Sequence, residues 1–313
     1  MNKEIRVVFM GTPDFSVPVL EMLIENYEVV GIVSQPDKPI GRSGKMSTSP
    51  VKEVALRENI PLFQPVKIRK EYEEILNKKP DMIVTCAYGQ IIPKEILDYP
   101  KYGCINVHAS LLPKHRGGAP IHRAIIEGDS TSGVTIMKMG IGMDDGDIMK
   151  QKEIPILDSD TAESLFDKLS VLGSELLKET MPSILDGTAN YIPQKEEEAT
   201  FSYNIKPEDE KIDFMKTRRE IYNQIRGLNS FPVAYTMLDG KRMKVWESRI
   251  GIERNYSEYG KIVSLEKDGI CISSKDGEII FTMIQPEGKK KMPARDFLNG
   301  YPNKEELLGK VFK

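Results

Sequence analysis

The sequence predicts an α/β protein: a Rossmann-like, mostly parallel sheet over residues 1–189, a linker at 190–206, and a small OB-like β-barrel over 207–313. Three observations predict it. Apolar strand-like runs alternate with helix-like segments as far as Leu185, the pattern of an open parallel sheet with helices on both faces. Over Gly187–Pro207, with its Glu196-Glu-Glu198 run, periodicity disappears. Beyond it come five short alternating stretches with Gly turns between most of them, the spacing of a small barrel.

Size and composition bound the rest. A chain of 313 residues is long enough for two domains, and 40% hydrophobic against 29% charged residues permits a buried core. The first residues run directly into a strand with no signal-peptide core, and no run approaches the roughly 20 apolar residues that span a bilayer. Three widely spaced cysteines, Cys86, Cys104 and Cys271, argue against a disulfide framework or a Cys-based zinc site. A cytoplasmic monomer is expected. The net charge of −3 hides an asymmetry, because residues 206–313 hold 21 Lys and Arg against 17 Asp and Glu. A basic third on an acidic body suits a polyanionic partner, and equally an ordinary solvated surface.

Taken in order, residues 5–10 read as a buried strand and Gly11-Thr-Pro-Asp-Phe-Ser16 as the turn after it. Ser16 is placed to cap a helix with Pro18 in its first turn, and Glu28–Ser34 completes a βαβ unit. The turn is not G-x-G-x-x-G and no phosphate-binding P-loop occurs, so neither dinucleotide nor nucleoside triphosphate binding is indicated. Residues 35–49 form a Pro, Gly and Ser-rich loop carrying Lys38, Arg42 and Lys45 against one acid, Asp37. A loop of that length is functional or mobile. A helix opens at Ser49-Pro50, followed by strands at Pro61–Phe63, Asp81–Ala87 and Tyr102–Val107 with short helices between. Gly133–Met139 and Asp147–Ile156 are further strands. Asp160 with Glu163 resembles a capping box for a long helix whose Leu165, Leu169, Leu172 and Leu176 share one face.

The chemistry gathers in Cys104–Gly118. Asn106 and His108 sit two apart, so on a strand they project from one face. Pro113 and Gly117-Gly118 end the regular structure, and in a parallel sheet ligands bind at such C-terminal strand ends. A third piece is Gly140-Ile-Gly-Met-Asp-Asp-Gly-Asp147, a Gly-rich turn with Asp144 at its tip; an Asp there also serves as a plain turn residue. Taken together, Asn supplies an N–H donor, His a charged donor, and Asp a group that orients the imidazole. These are parts for stabilising an oxyanion during acyl or formyl transfer.

Asn106-Val-His-Ala-Ser-Leu-Leu-Pro113, Arg116-Gly, Ala119-Pro-Ile and Met143-Asp-Asp-Gly146 resemble the folate-dependent formyltransferases. So do Gly11-Thr-Pro-Asp-Phe-Ser16, Ser34-Gln-Pro-Asp-Lys-Pro39, Gly41-Arg42 and Gln285-Pro-Glu-Gly-Lys-Lys290, and the resemblance covers nearly the whole chain. It implies 10-formyltetrahydrofolate as donor, the α-amine of methionyl initiator tRNA as acceptor, and a role in translation initiation. By resemblance, Asn106, His108 and Asp144 are catalytic, Ser110, Leu111, Leu112 and Pro113 line the folate pocket, and Tyr88 and Gly89 form another wall. Contacts to tRNA fall on Arg42, Lys45, Lys206, Lys289, Lys290 and Lys291, and a methionyl pocket on Phe15 and Gly41. No metal is required.

Other readings stay open at this point. A formyltransferase acting on a small nucleotide amine shares the three polar residues. A catalytically inactive tRNA-binding protein keeps the basic C-terminal part. A zinc hydrolase draws on His108, His115 and His122, each seven apart, but Pro113, Gly117, Gly118 and Pro120 forbid one continuous helix through them. His115 and His122 are then surface or helix-packing residues.

Overall fold

The computed structural model describes residues 2–40 and 45–313. Their contacts divide into two compact units: residues 1–120, 131–155 and 166–203, and residues 121–130, 156–165 and 204–313. The division interleaves along the sequence. The segment 190–203, which reads as a linker, groups with the first unit, while 121–130 and 156–165 group with the second.

In the first unit the strands are β1 (Asn2–Gly11), β2 (Tyr27–Val33), β3 (Lys38–Ile40), β4 (Lys45–Ser47), β5 (Leu62–Phe63), β6 (Met82–Cys86), β7 (Cys104–His108), β8 (Thr131–Lys138) and β9 (Ile148–Pro155). Among the described residues β3 and β4 pair as a hairpin, regular structure inside a loop expected to be irregular. The others form one seven-stranded sheet in the order β5-β2-β1-β6-β7-β8-β9. Pairing is parallel from β5 to β7 and antiparallel from β7 to β9. Val7, Val8, Phe9 and Met10 of β1 and every residue of β6 and β7 are buried, which explains why those strands read as continuous apolar runs. The helix Ala162–Asp186 reaches the sheet through Gly173, where an added Cβ would stand 2.9 Å from Val107 Cγ1. That contact takes one face of β7 and leaves Asn106 and His108 on the other.

Two helix starts differ from expectation. Ser16 makes no cap; its hydroxyl donates to the Cys86 carbonyl at 2.6 Å, tying the turn after β1 to the end of β6. The long helix opens on a reciprocal Thr161–Ser164 pair, 3.2 Å and 3.1 Å, while Asp160 accepts from the Leu157 N–H and the Ser164 hydroxyl. The Ser49 cap is as expected, accepting from Lys52 N–H at 3.1 Å.

In the second unit β10 (Tyr235–Leu238), β11 (Lys241–Glu253), β12 (Ile262–Leu265), β13 (Ile270–Ser274), β14 (Gly277–Pro286) and β15 (Met292–Pro293) form an antiparallel sheet. Along it the order is β10-β11-β14-β13-β12, with β15 on β14. β11 is longer than the short stretches expected here because its ladder with β14 continues through register shifts. Residues 309–313 bond to both edges: Ile262 N–H donates to Lys310 O at 2.8 Å, and Met237 and Lys313 exchange two bonds of 2.9 Å. Strand β12 is thereby joined to β10 around a core that includes Phe214, Ile225, Val245, Ile272, Phe281 and Phe312.

Candidate active site

Register delivers the first two residues. Asn106 lies between Thr85 of β6 and Met137 of β8, and His108 pairs with Thr135. Both are nearly closed off, at 9% and 7% exposure. The Thr85 hydroxyl donates to Asn106 Oδ1 at 2.8 Å, so the amide presents its NH2 toward Asp144, whose Oδ1 is 3.4 Å away. His108 Nε2 lies 3.0 Å from the His115 carbonyl. A carbonyl only accepts, so Nε2 carries a hydrogen, and the other ring nitrogen is Nδ1. That atom faces Asp144 Oδ2 at 3.7 Å. A protonated His108 therefore has both N–H groups directed, one at a fixed carbonyl and one at the side where Asn106 and Asp144 meet.

Asp144 has no strand to hold it. It sits at φ +51°, and its Oδ2 accepts the Gly117 N–H at 2.8 Å. Gln194 donates to the carbonyls of Asp144 and Gly146 at 2.8 and 2.7 Å and accepts from Arg116 Nε at 3.0 Å. Arg116 in turn makes a two-pronged pair with Glu196 at 3.0 and 2.8 Å. Glycine is required at Gly146, where a Cβ would stand 1.7 Å from the Lys138 carbonyl. Sequence reasoning found Asp144 but missed Gln194 and Glu196, which lie in a stretch without periodicity. It also read His115 as a surface or helix-packing residue. The residue is buried, at φ +57°, with its ring 2.7 Å from Ser202 Oγ, and its carbonyl orients His108.

Ser110–Pro113 folds as a closed turn. The carbonyls of residues 110 to 113 accept, in order, from Thr135 Oγ1 (2.6 Å), Lys114 N–H (3.1 Å), Gln151 Nε2 (2.8 Å) and Thr200 N–H (3.2 Å). The Ser110 hydroxyl donates to Lys114 O at 2.7 Å, and Leu112 packs with Met137 and Ile148. Tyr88 puts its ring in the core beside Met10 and Ile92, and its carbonyl accepts from Gln35 Nε2 at 3.0 Å, while Gly89 is exposed. The apolar side chains exposed nearby in sequence are Ile91, Ile141 and Met143, the last two on the Asp144 turn. Burial pushes the Cys86 and Cys104 thiols up to about 12, which removes both as nucleophiles near neutral pH. Among the described residues no group of three or more His, Cys, Asp or Glu is placed to hold a metal ion.

The formyl transferase family model matches residues 4–181 and the model of the formyl transferase C-terminal domain matches 204–302. The chain belongs to the formyl transferase family. A methionyl-tRNA formyltransferase of Bacillus cereus (strain G9842) is 54% identical over 300 residues, covering 95% of this chain and 96% of its own length. Two solved structures share the fold. A methionyl-tRNA formyltransferase from Clostridium thermocellum is 20% identical with a TM-score of 0.56, over 88% of this chain and 99% of its own. WlaRD, a sugar 3N-formyl transferase solved with dTDP and 5-N-formyl-THF, is 23% identical with a TM-score of 0.65, over 91% and 99%.

The remaining expected residues of this formyl transferase fall in several places. Phe15 is buried, edge-on against Phe166 at 5.0 Å. Gly41 and Arg42 lie outside the described residues, and so does the side chain of Lys45 at the start of β4. In the second unit Lys206 precedes the short helix Pro207–Glu210, its N–H on Asp209 Oδ2 at 2.9 Å. Lys289, Lys290 and Lys291 follow β14 as exposed residues, with Lys291 Nζ 4.5 Å from the Trp246 ring centre. No described helix is long and apolar enough to cross a membrane.

Proposed function

We propose that this formyl transferase moves the formyl group of 10-formyltetrahydrofolate onto the α-amine of methionyl initiator tRNA. The single observation that carries the reading is the convergence of Asn106, His108 and Asp144 at the C-terminal end of β7, in a chain 54% identical to a methionyl-tRNA formyltransferase. The donor, when bound, supplies an already activated formyl carbon, so no metal is called for. The residues fit it: the Asn106 NH2 and His108 Nδ1 both face Asp144, at 3.4 and 3.7 Å, and the half-exposed Met143 beside Asp144 offers an apolar contact.

The work of the chain is then electrostatic. The Asn106 NH2 and the Nδ1–H of protonated His108 stabilise the formyl oxygen as its carbon becomes tetrahedral. Asp144, fixed by the Gly117 N–H, orients the His108 ring and accepts the proton that the attacking ammonium loses. That proton goes on to the departing nitrogen of the folate. Ser110–Pro113 sets the His115 carbonyl that orients His108, and its outer edge with Gly89 faces the donor. The basic loop 35–49, with Arg42 and Lys45, and Lys206 with Lys289, Lys290 and Lys291 contact phosphates, which supply affinity without reading sequence.

The test is a direct assay with radiolabelled 10-formyltetrahydrofolate and charged initiator tRNA. Formylmethionyl-tRNA is the expected product. Transfer to a small amino-nucleotide with none to tRNA would sink the proposal in favour of the small-amine reading, whose fold WlaRD shares.

A further inference from the structure

Arg116 carries a charge where the fold has little use for one. Its side chain is 3% exposed, while that of its partner Glu196 is 71% exposed. A guanidinium drawn this far out of water gains little net stability from one carboxylate, and an apolar side chain of similar size packs as well. Stability therefore does not explain it. What the guanidinium touches does.

Three nitrogens of its planar fork are committed. Nε donates to Gln194 Oε1 at 3.0 Å, and the two terminal nitrogens donate to Glu196 Oε2 and Oε1 at 3.0 and 2.8 Å. Glu196 thus sets the plane of the fork and aims its Nε edge at Gln194. Nε can only donate, so Gln194 meets it with its oxygen and keeps its NH2 for the other side. There the NH2 donates to the Asp144 carbonyl at 2.8 Å and the Gly146 carbonyl at 2.7 Å. A reversed amide would set its oxygen against those carbonyls and its NH2 against the guanidinium. One donor on Arg116 decides which way Gln194 points, and with it whether the turn is held.

The backbone of the same residue holds the other end of the aspartate. Arg116 N–H donates to Thr200 O at 2.8 Å, and Arg116 O accepts from Ser202 N–H at 2.7 Å. Arg116 O and Gly117 N–H belong to one planar peptide unit, so anchoring the first also aims the second. That Gly117 N–H donates to Asp144 Oδ2 at 2.8 Å. Asp144 is gripped twice from residue 116: by its carboxylate through the peptide, and by its own backbone through the guanidinium and Gln194.

We propose that Arg116 is a positioning residue for the transfer: its guanidinium locks the Gln194 amide, and the amide keeps Asp144 facing Asn106 and His108. The inference rests on the catalytic role given to Asp144 above.

The experiment is a double-mutant cycle between Arg116→Lys and Gln194→Ala, read as kcat and KM for both substrates with thermal unfolding alongside. Lysine keeps the charge but not the fork, and cannot serve Glu196 and Gln194 in one plane. Arg116→Lys should lower kcat by about 10- to 100-fold, as a misplaced catalytic group does. KM for 10-formyltetrahydrofolate and for methionyl-tRNA should stay within about twofold, because the contacts of the substrates themselves are untouched. Since Arg116 acts through Gln194, the double variant should lose no more than Gln194→Ala alone. Glu196→Ala removes a side chain standing mostly in water and should show the same pattern at about three- to tenfold. Wild-type kcat in a folded Arg116→Lys, or losses that multiply in the double variant, would leave Arg116 a stabiliser of residues 194–196 and overturn the proposal. Where Arg116→Lys does not fold, wild-type kcat in Glu196→Ala overturns it in the same way. Wild-type transfer by Asp144→Asn would instead remove the catalytic reading on which the link depends.

Discussion

Strand β7 and the turn 140–147 put their side chains into the same few ångströms by different means. Asn106 and His108 are held by a ladder: neighbours on both sides, a fixed register, and burial of the whole strand. Asp144 is held by bonds that cross the sequence, from Gly117 on one side and Gln194 on the other. A ladder is redundant, because no single bond decides where its residues stand. A turn pinned at a few points has no such reserve. Mutations on the strand should therefore remove chemistry and leave geometry, whereas mutations around the turn should remove geometry and, through it, chemistry.

The largest effect belongs to the strand. Asn106→Ala should lower kcat by about 10²–10³ if its NH2 is an oxyanion donor. The fold should hold, and thermal unfolding alongside single-turnover rates checks both halves. A loss under about tenfold would make Asn106 a structural partner of Thr85 and no more.

Gln194→Ala tests the other side. It leaves the carbonyls of Asp144 and Gly146 without their donor, which should cost about 1–3 kcal/mol of stability. Displacing Asp144 should cut kcat by about tenfold to a hundredfold with KM for the folate unchanged. Gln194→Glu, which cannot donate, should behave the same way. If both variants keep full turnover, the turn is steadier than its bonds suggest and the contrast with β7 fails.

That contrast also explains what the sequence made legible. Asn106 and His108 could be found because period two and the end of a buried strand are local patterns. Asp144 could be found because its Gly-rich turn is local too. Gln194, Glu196, Thr200 and Ser202 act across distances of 48 to 87 residues, in a segment without periodicity, and nothing in their own neighbourhood announces it. His115 was misplaced for a related reason. Its neighbours Pro113, Gly117 and Gly118 signal an exposed turn, and only the strand-like run of 200–203 across it makes the position a buried one. The layout of both units was legible from alternation and Gly spacing; the closing role of residues 309–313 was not, because it is made by backbone bonds to Gly260, Ile262 and Met237.

Gly117→Ala should give a smaller effect and sharpens the comparison at a single bond. The position has φ +115°, and its Cβ would meet the Ser202 carbonyl at 2.8 Å. Strain of about 1–3 kcal/mol is expected in thermal or urea unfolding. Relief by moving the Gly117 N–H away from Asp144 should lower kcat as well. A variant with wild-type stability would mean that residues 200–203 yield easily.

The smallest effect returns to the strand and depends on pH. Cys104 opens β7 and Cys86 closes β6; burial raises both thiols to about 12. An acid whose folded pKa is raised binds more protons folded than unfolded between the two values. Its stabilisation is fully present below the unfolded thiol pKa of about 8.5 and is lost as pH climbs toward 12. Each such thiol contributes a slope of at most about 1.4 kcal/mol per pH unit in that window. Cys104→Ala removes one of them, so its urea stability should fall less between pH 8 and pH 10.5 than the wild type does, despite starting lower from the lost side chain. Tyr27 and Tyr88 are raised by burial too, and they titrate in both proteins, so the difference of slopes isolates the thiol. Parallel slopes would mean that Cys104 can ionise in place. The strand would then be open to water, and the ladder would no longer explain why Asn106 and His108 hold their positions better than Asp144.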